Sequence, residues 1–186
     1  MAARLKLTFD LVEVIKSVTS DRRKLRVYLP LVSDQGFKRE FGKRCIDDIE
    51  SRLDDGVDKN GKAMKKYSEA YKQSEVFKFW GKDNTVNLKL TGQMRSAIDV
   101  VSIKPRTVTI GFIDQEANDK AHGHVHGSNF LPVRDFWGVP KSSQVSIMKE
   151  MISEFSGRET VEVDLPGATA DVGTQQGIDL TDEDGQ

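Results

Sequence analysis

A stripe of large apolar side chains, Phe37, Phe41, Ile46, Ile49 and Leu53, recurs at steps of three to five residues with Lys, Arg, Asp and Glu between them. That spacing places the apolar residues on one face of a helix. The break at Pro30 and the Asp54, Asp55, Gly56 stop bound the expected helix at Ser33 to Leu53. A long helix with a single apolar face is marginal alone, so it needs a second layer to lie on.

The middle of the chain supplies that layer. Val108, Ile110 and Phe112 alternate with Thr107, Thr109 and Gly111, the period-two pattern of a half-buried strand. Val100 to Ile103 reads as its neighbour across a turn at Lys104, Pro105 and Arg106. Shorter amphipathic helices are expected around this pair. One holds Leu11, Val12, Val14, Ile15 and Val18 behind a Thr8 cap, and another holds Met94, Ala97 and Ile98 behind Thr91. A third begins at Ser142 or Ser143, carries Val145, Met148, Met151, Ile152 and Phe155, and stops at Gly157. Residues 75–84, with Phe77, Phe79 and Trp80, read as a surface loop.

The expected fold class is therefore α+β: a small antiparallel sheet packed with a long helix and shorter amphipathic helices, plus extended N- and C-terminal segments. At 186 residues and 37% hydrophobic, the chain can bury one core. One domain is expected over 1–157, followed by an acidic C-terminal extension over 158–186. Residues 1–82 carry 19 Lys and Arg against 13 Asp and Glu, whereas 158–186 carry one against eight. The second segment has too few large apolar side chains to build a core. It is expected to dock on a basic surface of an adjacent subunit or of another neighbouring protein, with Val161, Val163, Leu165, Ile178 and Leu180 as apolar anchors, the alternative being a solvated tail that aids solubility. The lone Cys45, set among Phe41, Ile46 and Ile49, reads as a buried thiol. No stretch approaches the length of apolar sequence that spans a bilayer, so no membrane partner is expected.

Few residues carry a chemical signature. All three histidines fall at alternate positions in Ala121 to Gly127. In an extended segment His122, His124 and His126 would share a face and offer a metal site or metalloenzyme centre. The alternative is a Gly-flanked loop whose rings are solvent-facing or hydrogen-bonded, and no metal or cofactor is expected on that reading. The turn at Asp58, Lys59, Asn60 and Gly61 lacks carboxylates at the first and last positions of a calcium loop, which are Gly56 and Tyr67. Phosphate-binding glycine loops and nucleophile elbows are absent, so no enzyme is expected. In SNFLPVRDFWGVP, Phe130, Phe136 and Trp137 surround Pro132 and Arg134. They either pin a loop to the core or make Arg134 and Trp137 anchors for another subunit.

The order of short motifs resembles the phage virion morphogenesis and tail-completion family. It runs from an Asp58 to Gly61 turn through Tyr67, Ser68, Tyr71 and Lys72 to Leu90, Thr91, Gly92, Met94 and Ser96. Ala121, His124 and Gly127 follow, then Pro132, Val133, Arg134, Asp135, Phe136 and Gly138. The resemblance covers roughly residues 40 to 155; Ala63, Met64 and Trp137 depart from the family pattern. It implies a non-enzymatic virion subunit of the neck, assembled in the host cytoplasm, that completes the tail and joins it to the head. It further implies a homo-oligomeric ring, most simply a hexamer, touching other neck and tail proteins. DNA would pass through such a ring without specific binding. Thr91, Gly92, Ala121, His124, Gly127, Pro132, Arg134, Phe136 and Trp137 are the candidate subunit-interface residues on this resemblance.

Overall fold

The computed structural model describes residues 3–82, 84–89, 91–128 and 131–159. The acidic segment lies outside the described residues from 160 on, together with its five proposed anchors, Leu90 and Phe130.

The first element corrects the sequence reading of the N-terminus. Leu5, Leu7 and Phe9 alternate through strand β1 (Lys6–Asp10), so this part of the chain belongs to the sheet rather than to an extended segment. Thr8 is not a helix cap; its hydroxyl meets that of Thr109 at 2.9 Å across the strands. Asp10 caps helix α1 (Leu11–Val18) instead, accepting from the backbone N–H groups of Val12 and Glu13. Leu11 and Ile15 are fully buried. Helix α2 (Arg22–Tyr28) follows, then a short 3-10 turn over Leu29–Ser33.

The long helix is present as α3 (Gln35–Asp54), capped by Asp34, whose carboxylate accepts from Phe37 N–H. Phe37, Phe41, Cys45, Ile49 and Leu53 are all fully buried along it. Cys45 is the buried thiol expected, and burial pushes its pKa up. The turn after α3 closes through a bridge between Val57 and Ala63. Asp58 Oδ1 accepts there from Asn60 and Lys62 N–H at 2.8 and 3.0 Å, so that carboxylate serves its own backbone.

Residues 69–79 are two short helices, α4 (Glu69–Gln73) and α5 (Glu75–Phe79), where a loop was expected from 75 onward. Ser68 and Ser74 each cap one, with Glu69 and Glu75 in the first turns, a favourable placement at the positive end of a helix. Helix α6 spans only Gln93–Ser96. Gly92, at φ 85°, is its N-cap, and Thr91 Oγ1 accepts from Gln93 N–H at 3.3 Å. Ile98, expected in that helix, begins strand β2 (Ile98–Ile103), which turns into β3 (Thr107–Phe112).

The sheet order is β1-β3-β2, antiparallel throughout. Leu7 lies opposite Ile110, and Val100 opposite Ile110 on the other side. A register shift falls between Val100 and Ser102. Helix α3 crosses the face made by Val100, Val108 and Ile110, and Gly42 permits a close approach. A Cβ at that position would stand 2.6 Å from Val100 Cγ2.

Helix α7 (Gln115–His126) holds the histidines and is capped by Asp114. Its Asn118 is fully buried and reaches the chain ahead of β1, accepting from Leu5 N–H at 2.7 Å and donating to the Ala3 carbonyl. Helix α8 (Lys141–Glu159) packs on α1 and α3, with Phe155 set edge-on to Phe37 at 5.0 Å. It starts a residue before the expected serine caps. Gly157 lies inside it, since one glycine weakens a helix by only about 1 kcal/mol without breaking it.

Candidate functional site

The histidines settle first. Asp114 starts α7, and Ala117 and Ala121 bury one side of it. A helix returns to the same face every three or four residues, so alternate positions diverge. The rings of His122 and His126 lie 4.2 Å apart, one turn from each other, while His124 is turned away from them against the residues 131–134. The shared face expected of an extended segment does not form. Among the described residues no cluster of three or more His, Cys, Asp or Glu side chains could hold a metal ion.

Gly127 ends α7 at φ 74°. A side chain there would press on Val133 Cγ2 at 2.9 Å and the Leu131 carbonyl at 3.1 Å, so the chain can fold straight back on the helix. Arg134 N–H then donates to the His124 carbonyl at 2.7 Å, satisfying a backbone acceptor that the helix end leaves open. The Arg134 side chain is 4% exposed. Its Nε donates to the Lys65 carbonyl at 3.1 Å, and its guanidinium lies 5.3 Å from the centre of the Tyr67 ring. Tyr67, Tyr71 and Phe77 form a mutually tilted cluster with centroids 5.3 to 5.7 Å apart. Segments some 70 residues apart are thereby joined around one arginine.

Arg134, Lys65, Tyr67, Tyr71 and His124 line a groove of about 1000 Å³. Thr91, Gly92, His124, Pro132 and Arg134, all singled out from the sequence, border it, as do Tyr67, Ser68 and Tyr71 of the same motif series. Ala121, Phe136 and Trp137 do not. Ala121 and Phe136 are fully buried, and Trp137 is 6% exposed with its ring 4.8 Å from Phe112. Phe136 and Trp137 thus pin the loop to this chain's own core, leaving Arg134 as the residue of that pair of readings placed at a surface groove. Pro132 and Gly127 shape the backbone beside it.

The electrostatics of the groove are one-sided. Lys65, Lys66, Lys82 and Lys120 line it with Arg134, and Glu69 is its lone carboxylate among the described residues. Glu69 is already paired with Lys72 at 2.8 Å. Burial lowers the Arg134 pKa, partly opposed by Tyr67 and Tyr71. Burial, helped by the Arg134 charge, pushes His124 down to about 4. The imidazole is therefore neutral at pH 7, and its buried Nδ1 has no hydrogen-bond partner among the described residues. Leu88, also on the groove, holds a left-handed backbone at φ 51°, a conformation that costs a bulky residue roughly 1 kcal/mol.

Sequence reasoning missed the lysines. Lys65 and Lys66 stand next to the Tyr67, Ser68 motif, but Lys82 and Lys120 join them only through the fold. No family model, curated protein or solved structure matches the chain.

Proposed function

We propose that the chain is a structural subunit of a tailed-phage neck, acting in tail completion and head-tail joining as one copy of an oligomeric, six-membered ring. The observation that carries this reading is the convergence of the motif residues. Taken singly, Tyr67, Thr91, His124 and Arg134 are unremarkable positions spread over 68 residues; together they border one groove, where Arg134 N–H donates to the His124 carbonyl and the guanidinium lies over the Tyr67 ring. Residues that resemble a family's motif series and also form one connected surface support the resemblance better than residues scattered over the molecule.

The outer surface also favours an assembling subunit. Phe79 is 81% exposed and Trp80 47%, their rings edge-on at 5.5 Å, beside Val76 at 47%. Large aromatic side chains grouped at a surface mark contact sites for other proteins. The groove itself presents anchored cations and rings rather than a nucleophile with its base, the arrangement that covalent catalysis requires. The metal-centred reading gains nothing from the divergent histidines.

Particles assembled without this protein test the proposal. Tailless heads accompanied by separate finished tails are expected. Normal infectious particles, or a purified protein that stays monomeric at every concentration and shows no association with neck proteins, refute it. Treatment with EDTA is expected to leave the melting temperature unchanged; unfolding on chelation would restore the metal reading.

A further inference from the structure

A buried guanidinium is ordinarily paired, because removing a charge from water is costly unless a counter-charge replaces the solvent. Arg95 follows that rule. It is 8% exposed and binds Asp54 with both terminal nitrogens, at 2.5 and 3.1 Å. Arg134, more deeply buried, has no carboxylate partner among the described residues. Only its Nε is hydrogen-bonded, to a backbone carbonyl, and its two terminal nitrogens keep access to the groove. Lys38, a further buried cation without a carboxylate partner among the described residues, gives its ammonium to the Lys104 carbonyl at 3.3 Å and does not line the Arg134 groove. Among the described residues Arg134 alone combines burial, an unused pair of parallel donors and an open groove, a geometry that fits a carboxylate bidentately.

The walls narrow the choice of ligand. Lys65, Lys66 and Lys120 line the groove with the arginine, Lys120 in an exposed ion pair with Glu116 at 2.7 Å, while Leu88, Met94 and Leu131 add apolar surface. A chain that alternates carboxylates with aliphatic side chains matches both. Residues 178–184 of this protein, Ile-Asp-Leu-Thr-Asp-Glu-Asp, have that composition, and 160–186 hold seven acidic residues and no Lys or Arg. Reach does not oppose the match. Phe155 of α8 packs at the N-terminal end of α3, on Phe37, whereas Arg95 beside the groove binds Asp54 at the other end. That helix has 20 residues, about 30 Å at 1.5 Å per residue. The 19 residues from 160 to 178 can extend to roughly 60 Å at 3.3 Å each.

We infer that the Arg134 groove is a receptor for the acidic segment of this same polypeptide, with a carboxylate of Asp179 to Asp184 seated on the guanidinium and Ile178 or Leu180 against Leu88 and Leu131. The inference stands apart from the neck reading, since it concerns what fills the groove and not where the protein works. Failure of the particle experiment would leave it intact.

The test uses the full chain. A zero-length carbodiimide joins lysine amines to carboxylates in contact, and mass spectrometry maps the products. Amide links from Lys65, Lys66, Lys82 or Lys120 to Asp179, Asp182, Glu183 or Asp184 are expected. In Arg134→Gln they should fall by about tenfold, the factor set by losing one charge-assisted hydrogen bond. Should that variant fail to fold, D179N/D182N/E183Q/D184N serves instead, because its changes lie outside the described core. Acetylation of the groove lysines should then rise while Lys141 and Lys149 react as before. Links distributed equally over lysines outside the groove, or a lysine footprint indifferent to the four changes, would overturn the inference. So would Arg134-dependent binding of a single-stranded oligonucleotide with that same indifferent footprint, which would give the groove to a phosphate backbone.

Discussion

Gly42 offers a sharp test of how closely α3 rides on the sheet. An added Cβ would stand 2.6 Å from Val100 Cγ2 and 3.2 Å from Val108 Cγ2, so Gly42→Ala must tilt the helix or turn the valines. Two effects compete. Alanine inside a helix is favoured over glycine by about 1 kcal/mol, while overpacking a fitted core costs roughly 1–3 kcal/mol. With two methyls in the way the upper part of that range applies, leaving a net loss of about 1–2 kcal/mol. Val100→Ala removes the nearer methyl. In that background Gly42→Ala should become neutral or stabilising, because the helix preference stays and most of the clash is gone. Urea unfolding of the four proteins of the cycle, compared at constant m, reads the coupling directly. A Gly42→Ala protein more stable than the parent, with no coupling to Val100, would mean that the helix does not approach the strands in this way.

Other perturbations test other parts of the fold. His124 has a folded pKa near 4 against an ordinary value of 6.5, so the unfolded chain binds the extra proton first and stability should fall as pH drops from 6.5 toward 4. His124→Gln should flatten that part of the pH profile, and parallel profiles for the two proteins would refute the assignment. Phe41→Ala empties a fully buried site edge-on to Phe9 at 5.7 Å and should cost about 3–5 kcal/mol in denaturant unfolding; a loss below about 1 kcal/mol would place Phe41 outside the core. Asp54→Ala leaves Arg95 with only the Glu50 carbonyl at 3.2 Å and the Glu50 carboxylate at 3.8 Å and should cost about 1–2 kcal/mol. Adding Arg95→Met should restore most of it, and a double variant as unstable as the single one would show that the ion pair is not the source.

The long helix and the β2-β3 hairpin were legible because their signals are local: a 3.6-residue period in one, a two-residue period and a proline turn in the other. β1 has the same alternation at Leu5, Leu7 and Phe9, but only three positions of it. A threonine before an apolar run also imitates a helix start, and the strand partner of Thr8, Thr109, lies about a hundred residues away. In α7, three histidines around Gly123 drew attention to loop chemistry. The steadier signal was Ala117, Ala121 and Val125 at four-residue steps behind Asp114, whose carboxylate accepts from Ala117 N–H at 3.0 Å. Arg134 could be singled out by its aromatic neighbours. That it is buried without a counter-charge depends on where Lys65, Tyr67 and His124 come to lie, and no spacing in the sequence encodes that.

The register shift in β2 has a consequence for how copies of this protein can meet. A three-stranded sheet leaves two border strands, and a regular border is a template on which identical chains can stack without limit. Between Val100 and Ser102 the repeat of backbone donors and acceptors is interrupted, which adds twist and spoils the border for another strand. Ahead of the opposite border strand, β1, the Asn118 amide occupies Leu5 N–H and the Ala3 carbonyl, so the strand cannot lengthen its border at that end. A copy that met this protein along β2 would therefore have to be held by side chains, whose shapes fix a partner and an angle, rather than by bare backbone, which accepts almost any extended chain.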